Sequence, residues 1–125
     1  MGQKIKRILV ADDNAYMRKA LCRLFADHDY LEVCAEAVNG QDAIDKALEH
    51  KPDLIILDLA MPVLNGIEAA RILHRLMPEV PKILFTLHAQ ALLKSDTESA
   101  GIRKVVSKGD MAGLVGHSED LVRAA

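Results

Sequence analysis

The sequence predicts an α/β fold in which five parallel strands alternate with five helices. Its apolar residues switch repeatedly between short continuous runs, typical of buried strands, and spacings of three or four residues, typical of helices. The runs at the first and third strand positions are apolar throughout, and the fourth is apolar at residues 83–85, as in sheets that are covered on both faces. Because parallel strands need a helix to return the chain, we expect a doubly wound sheet.

The first two strand–helix units fall in the first half of the chain. Residues 8–11 (ILVA) form a buried run, and residues 32–37 (EVCAEA) form a weaker second strand with Val33 and Ala35 on one side. An Asn-Gly turn at 39–40 precedes the second helix. The apolar stripes of the two helices are Met17, Leu21, Leu24 and Phe25, then Ala43, Ile44, Ala47 and Leu48.

Three further units complete the predicted fold. Strands are expected at residues 54–57 (LIIL), at 82–87 (KILFTL) and around Val105 and Val106. The helix predicted over 89–100 has a polar second half and a poorly defined face. The stripes of the third and fifth helices are Ile67, Ala70, Leu73 and Leu76 or Met77, then Met111, Leu114, Val115 and Val122. Two glycines in the last helix, each costing roughly 1 kcal/mol relative to alanine, leave its bounds the least defined.

Length and composition restrict the classes of function. With 125 residues, 50% of them hydrophobic and 3% aromatic, the chain suits one domain over residues 1–125 with an aliphatic core. Lys and Arg total 16 and Asp and Glu total 18, so we expect no basic surface for nucleic acid. The sequence shows neither a membrane-spanning run nor a signal peptide. With two cysteines predicted to be free thiols, we expect a cytoplasmic protein.

Polar and ionisable residues follow four of the five predicted strands, at the edge where ligands of open α/β sheets bind. These residues are Asp12, Asp13, Asp58, Thr86, Ser107 and Lys108. Converging carboxylates repel one another unless a cation lies among them, and carboxylate oxygens suit Mg²⁺. A carboxylate can also act as a nucleophile and form an acyl phosphate. We therefore predict that Asp58, at the central strand, accepts a phosphoryl group. Lys108 and a hydroxyl side chain at the same edge would hold the other phosphoryl oxygens.

Each of these residues also has an ordinary structural interpretation. The acidic pair at 12–13 can be a turn that caps the first helix, and Asp58 can cap the loop at 61–66. Thr86 suits a strand because its side chain is β-branched, and Lys108 can be a solvated surface lysine. Taken singly, the acidic pair at 12–13 and Thr86 are each better explained by the structural interpretation. The coincidence of all these residues at one sheet edge favours the functional interpretation.

Four segments, ILVADDN, LIILDLAMPVLNG, LFTLHA and VVSKGD, resemble the receiver domain of two-component response regulators. The resemblance covers essentially the whole chain and implies a flavodoxin-like sandwich with the strand order 2-1-3-4-5. It implies that a sensor histidine kinase donates a phosphoryl group to Asp58. It also implies that Mg²⁺ binds at Asp58, Asp13 and the backbone carbonyl of Ala60, with Asp12 acting largely through water.

The same resemblance implies the remaining roles. Lys108 would pair with the phosphoryl oxygens, and Thr86 would bond one of them after phosphorylation. The surface of the fourth helix, fifth strand and fifth helix would then change its partner preference, with a homodimer as one outcome. The segment DLAMPVLNGIEAAR is similar to receivers that precede a helix-turn-helix DNA-binding domain. We expect a role in transcription through an output domain absent from this chain, or else a stand-alone receiver, with no enzyme activity beyond self-phosphorylation from small donors and self-dephosphorylation.

Two positions depart from the pattern that this family usually shows. Many receivers carry an aromatic residue three places before the lysine, where this chain has Val105, so an aromatic-rotamer switch is not expected. Many also have proline after the lysine, where this chain has Gly109. A cis bond to a residue other than proline costs about 2.5–4 kcal/mol, so we expect a trans bond there.

Three other functions would use parts of the same pattern, and the sequence argues against the first two. A Mg²⁺-dependent phosphohydrolase with an aspartyl nucleophile usually has a second aspartate two places later, where this chain has Ala60. A nucleotide-binding domain would need glycines in the first strand–helix turn, which reads ADDNAYM. A receiver-like module that binds protein partners without phosphate is the main alternative, because Val105 weakens the expectation of a switch.

Overall fold

The computed structural model describes residues 4–123, in which strands and helices alternate. The strands of this part are Lys6–Ala11 (β1), Leu31–Ala37 (β2), Leu54–Leu57 (β3), Lys82–Thr86 (β4) and Ile102–Ser107 (β5). The helices are Ala15–Ala26 (α1), Gly40–His50 (α2), Gly66–Leu76 (α3), Lys94–Ser99 (α4) and Met111–Arg123 (α5), with a 3₁₀ turn at Ala89–Ala91. Within these residues, no helix is long and apolar enough to span a membrane.

The strands form one parallel sheet in the order β2-β1-β3-β4-β5. This order confirms the predicted doubly wound, flavodoxin-like fold. The four residues of β3 are buried along their whole length, as the apolar run LIIL predicts. The strand order reverses between β1 and β3, and a crevice lies beyond the carboxyl ends of strands at such a point.

Side chains of the central strands alternate between two core layers, one on each face of the sheet. Ile8 and Val10 pack with Phe25 of α1 and with α5, whereas Leu9 and Ala11 pack with α2 and α3. Burial from both sides holds β1 and β3 at a fixed depth. The polar residues that follow these strands are therefore held at fixed positions along the carboxyl edge.

The edge strands β2 and β5 each contain a register shift against the neighbouring strand. In β2 the shift lies at Cys34, because Val33 pairs with Ile8 and Ala35 pairs with Leu9. Such a one-residue bulge moves the following side chains to the opposite face. Val33 packs in the layer of α1 and α5, and Ala35 packs in the layer of α2 and α3. The prediction that these two residues share one side is therefore wrong.

The predicted helix over 89–100 is wrong in its first half. Residues Ala89–Ala91 form a 3₁₀ turn, and Leu92 and Leu93 are extended before α4 begins at Lys94. From this extended position Leu92 packs against the layer of α2 and α3, while Leu93 stays exposed. The polar sequence KSDTES gives α4 no apolar stripe that would stabilise a longer helix. The backbone at Leu92 is therefore extended, which partly buries this side chain, and α4 does not reach back to Ala89.

Other helix faces agree with the sequence pattern apart from one residue. In α5 the predicted core residues Leu114, Val115 and Val122 are buried, and the helix forms in spite of its two glycines. At the end of α3, Met77 is buried and Leu76 is exposed, which decides between these two predicted core residues. The prediction that Leu48 lies on the buried face of α2 is wrong, because it is exposed near the end of the helix.

Candidate functional site

Asp12 and Asp13 lie directly beyond β1, in the crevice at the carboxyl edge of the sheet. The amide of Asp12 donates to the carbonyl of Ala37 at 3.0 Å, which continues the pairing of β1 and β2 beyond the end of β1. Asp12 is 2% exposed, and its Oδ1 accepts a hydrogen bond from the amide of Asn14 at 2.9 Å, whereas Asp13 is exposed. Asn14 caps α1 through its side chain, so the alternative that the acidic pair caps this helix is wrong.

Asp58 lies beside this turn because the pairing of β3 with β1 continues beyond both strands. Its amide donates to the carbonyl of Ala11 at 2.9 Å, and the residue is 6% exposed. Gly66, the first residue of α3, approaches so closely that a Cβ atom there would collide with the carbonyl oxygen of Asp58. Asn65 caps α3 in a capping box with Glu68, so Asp58 does not supply the helix cap that ends this loop.

The three carboxylates form one cluster together with Lys108. One oxygen from each of Asp12, Asp13 and Asp58 lies within 4.8 Å of the other two. The Nζ atom of Lys108 is 2.8 Å from Oδ2 of Asp12 and 3.2 Å from Oδ1 of Asp58. The lysine, which follows β5, therefore reaches the residues that follow β1 and β3. The structure brings together four of the site residues that the sequence predicts.

Burial and neighbouring charges shift two pKa values in this cluster. Burial raises the pKa of the Asp58 carboxyl above its ordinary value, the charge of Asp12 raises it further, and Lys108 only partly offsets both effects. For Lys108 itself, burial lowers the pKa, but its hydrogen bond to Asp12 and the charges of both carboxylates outweigh burial and raise the pKa overall. The raised pKa of Lys108 therefore indicates that the carboxylates stabilise a positive charge beside them.

The remaining predicted residues are Thr86, at the end of β4, and Ala60, two residues after Asp58. Thr86 ends β4, is 1% exposed and accepts a hydrogen bond at Oγ1 from the amide of His88 at 3.2 Å. Its carbonyl accepts the amide of Lys108 at 3.0 Å, which ties the loop after β5 to the end of β4. Ala60 is exposed in the turn that follows Asp58.

The two positions that depart from the receiver pattern have ordinary conformations. Val105 is half-buried against the layer of α2 and α3 and pairs with Leu84 of β4. The peptide bonds between residues 4 and 123 are all trans, which confirms the expectation at Gly109. The amide of Gly109 donates to Oγ of Ser107 at 3.2 Å.

The donor set of the cluster fits a hard divalent cation such as Mg²⁺. It consists of carboxylate oxygens, and three carboxylates with one ammonium leave a net charge of −2 when all are ionised. Mg²⁺ takes oxygen ligands and keeps several waters, which the exposed side of the cluster at Asp13 permits. The residues that could hold the ion are Asp12, Asp13 and Asp58.

Arg18 also contacts the acidic turn, although no sequence motif indicates this contact. Its Nη1 donates to the backbone carbonyl of Asp12 at 2.7 Å, and its Nε donates to Oε1 of Glu36 at 3.2 Å. One arginine on an amphipathic helix produces no pattern that distinguishes it from solvated residues. Its position one turn after the Asn14 cap is the signal that could have indicated this contact.

Known proteins resemble this chain over most of its length. The response regulator receiver domain family matches residues 8–116. The chain is 40% identical over 96 residues to a protein-glutamate methylesterase/protein-glutamine glutaminase of Clostridium acetobutylicum, a match that covers 77% of this chain and 28% of that protein. It is 34% identical over 103 residues to chemotaxis protein CheY of Thermotoga maritima, covering 82% of this chain and 85% of that one.

A solved structure shows the same fold. The two-component response regulator of the LuxR family from Aurantimonas sp. SI85-9A1 superposes with a TM-score of 0.88 at 28% identity, covering 97% of this chain and 87% of that one. The matches to the methylesterases cover only between 24% and 33% of the length of those proteins. These matches therefore concern one part of a longer enzyme.

Proposed function

Because the chain belongs to the response regulator receiver domain family, we propose that it is a phosphorylation-activated switch of a two-component system. In this proposal Asp58 accepts a phosphoryl group from a sensor histidine kinase. One observation carries the assignment: Oδ1 of Asp58 lies 3.2 Å from the ammonium of Lys108, within a cluster of three carboxylates. A nucleophilic oxygen, a cation for the transferred group and a set of metal ligands thus meet at one point.

The transfer that we propose exchanges one bond for another. A carboxylate oxygen of Asp58 attacks the phosphorus of a phosphohistidine, so a P–O bond forms while the P–N bond to the imidazole breaks. Lys108 exchanges its contact with Oδ1 of Asp58 for a phosphoryl oxygen and keeps its hydrogen bond to Asp12. Thr86 donates its hydroxyl hydrogen to another phosphoryl oxygen. The new group adds about −1.5 to −2 charge to the crevice.

We propose Mg²⁺ as the cation of the cluster, held by Asp13, Asp58 and the carbonyl of Ala60, with Asp12 acting largely through water. When bound, the ion neutralises charge on the phosphoryl oxygens. The chain's own contribution is a rigid arrangement of acidic side chains at the ends of two buried strands. Burial raises the pKa of the Asp58 carboxyl, the charge of Asp12 raises it further, and a divalent cation would offset both effects.

The output that we propose is a changed surface on α4, β5 and α5. The amide of Lys108 is hydrogen-bonded to the carbonyl of Thr86, so a shift of Thr86 toward a phosphoryl group moves both loops together. Val105 offers no aromatic ring to swing, which leaves this shift as the route of signalling. The changed surface would alter partner binding, including formation of a homodimer.

At the level of the whole protein, we propose regulation of transcription through an output domain outside this chain. The likeness to a response regulator of the LuxR family supports this output, while the methylesterase relatives make an enzymatic output the alternative. Residues 1–125 would act as one cytoplasmic receiver unit that neither binds nucleic acid or membranes nor catalyses reactions beyond its own phosphorylation and dephosphorylation. A stand-alone role is compatible with the same site, because the match to chemotaxis protein CheY of Thermotoga maritima covers 85% of that protein.

The test of this proposal is the intact mass after incubation with Mg²⁺ and acetyl phosphate. We expect one phosphoryl group per chain, stable to acid and labile to base, and lost when Mg²⁺ is chelated. Asp58→Asn should abolish the addition. Asp45→Asn, the same substitution at an exposed position of α2, should leave it unchanged. Absence of any addition to a correctly folded chain would instead support the module that binds partners without phosphate.

A further inference from the structure

Arg18 joins the acidic turn to the neighbouring edge strand through two hydrogen bonds. Its Nη1 donates to the backbone carbonyl of Asp12 at 2.7 Å, and its Nε donates to Oε1 of Glu36, near the end of β2, at 3.2 Å. The Arg18 side chain is 15% exposed and that of Glu36 is 45% exposed. The planar guanidinium suits such a two-sided role, because its donors point in fixed directions.

Two features of the fold bring these groups together. The Asn14 cap starts α1 so that Arg18 lies one turn into the helix, where its amide donates to the carbonyl of Asn14 at 3.1 Å. The bulge at Cys34 determines which face of the sheet Glu36 occupies. Because Ala35 and Ala37 pack in the layer of α2 and α3, Glu36 between them points to the layer of α1. Without this bulge, alternation from Val33 would direct Glu36 to the opposite face.

The Asp12 residue is held at several points at once. Its Oδ1 accepts the amide of Asn14, its Oδ2 accepts Lys108, its amide donates to Ala37, and its carbonyl accepts Arg18. The Arg18 contact fixes the backbone just before Asp13, the exposed member of the cluster. The direction of the Asp13 carboxylate therefore depends on where Arg18 holds this peptide.

We infer that Arg18 is a positioning residue for cation binding, an inference that rests on the proposed function. Through Glu36 it anchors the acidic turn to β2, so that the carboxylates of Asp12 and Asp13 stay converged on Asp58. Groups that orient metal ligands in this way typically change metal affinity by roughly 10- to 100-fold when they are removed.

The charge of Arg18 and its positioning role predict opposite changes in Mg²⁺ affinity when Arg18 is removed. A guanidinium near a cluster of net charge −2 repels a divalent cation, so removing its charge alone would strengthen Mg²⁺ binding. Removing an anchor would weaken binding, because the carboxylates would have to be ordered when the ion binds. The sign of the change in affinity therefore separates the two effects.

The experiment is a titration of the ¹⁵N-labelled 125-residue chain with MgCl₂ at constant ionic strength, followed through the backbone amide signals of Asp13 and Asn14. For Arg18→Met we expect roughly 10-fold weaker binding. Arg18→Lys keeps the charge but not the fork of donors, so we expect a weakening of roughly 3-fold. Arg23→Met removes the same charge from the exposed end of α1 and should leave the affinity unchanged or slightly stronger.

Binding by folded Arg18→Met that equals or exceeds wild-type binding would overturn the inference while leaving the proposed function intact. Failure of the wild-type chain to bind Mg²⁺ would overturn both. If Arg18→Met does not fold, Arg18→Lys decides the question alone. An affinity of Arg18→Lys equal to that of wild type would then contradict a positioning role.

Discussion

Lys82 places an ammonium group inside the protein, at the opposite edge of the sheet from the acidic cluster. The residue is 1% exposed, and its Nζ donates to the carbonyl of Met77, just beyond α3, at 2.6 Å. Burial lowers the pKa of Lys82 from 10.5 to about 8, while Glu79 opposes this shift and Arg103 adds to it. The folded protein therefore releases this proton at a lower pH than the unfolded chain does.

This difference in pKa makes the free energy of unfolding depend on pH. Each pKa unit corresponds to about 1.36 kcal/mol, so a charged Lys82 costs the folded state about 3 kcal/mol below pH 8. Between the two pKa values the unfolded chain binds more protons than the folded protein, and stability rises with pH through this window. By pH 10 we expect Lys82 to have regained roughly 2 to 3 kcal/mol.

The assay compares urea unfolding of wild type and Lys82→Met at pH 7 and pH 10. The stability of wild type relative to this variant should increase by roughly 2 to 3 kcal/mol over that interval, since other titrating groups are common to both proteins. Lys104→Met, which removes an exposed ammonium from β5, should show no such trend. If the stability difference between wild type and Lys82→Met is the same at both pH values, Lys82 does not have a lowered pKa in the folded protein.

Further substitutions test the charge of Lys108 in the cluster and the packing of Gly66 against Asp58. Lys108→Met leaves Asp12 and Asp58 without their shared ammonium, so without Mg²⁺ the free energy of unfolding should fall by roughly 3 kcal/mol. Mg²⁺ should then raise the thermal midpoint of this variant more than that of wild type, and equal shifts would contradict this. Gly66→Ala places a Cβ atom against the Asp58 carbonyl and should cost about 1–3 kcal/mol in chemical denaturation. Gly116→Ala, in open space on α5, should instead stabilise by up to about 1 kcal/mol, and equal effects of the two changes would count against the packing argument.

The cluster could be predicted because its residues directly follow buried strands. A strand that is apolar on both faces is buried along its whole length, which fixes its position relative to the neighbouring strands. The pairing of β1 with β3 continues to the amide of Asp58. The positions of Asp12 and Asp58 therefore follow from the strand pattern and the rule about carboxyl ends. The contact of Lys108 with both could be expected in general terms, but its two distances depend on the loop after β5.

The edge of the fold was harder to predict, for a different reason. The segment EVCAEA contains two glutamates among small apolar residues. Regular alternation and a bulge at Cys34 therefore fit its pattern equally well. Pairing with β1 and packing of Ala35 decide between them, and neither is visible in local sequence. The same holds at Leu92, where burial against distant helices replaces the predicted start of a helix.

The bulge also connects the fold to the proposed function. β2 contributes no side chain to the acidic cluster within residues 4–123, yet its register directs Glu36 toward Arg18 and so toward the turn at Asp12. A partly exposed ion pair of this kind contributes about 0–1 kcal/mol to stability. Variants of Arg18 should therefore change the free energy of unfolding little while changing Mg²⁺ affinity strongly. A residue that only stabilised the fold would show the reverse, because its loss would lower stability and leave the affinity of the folded fraction unchanged.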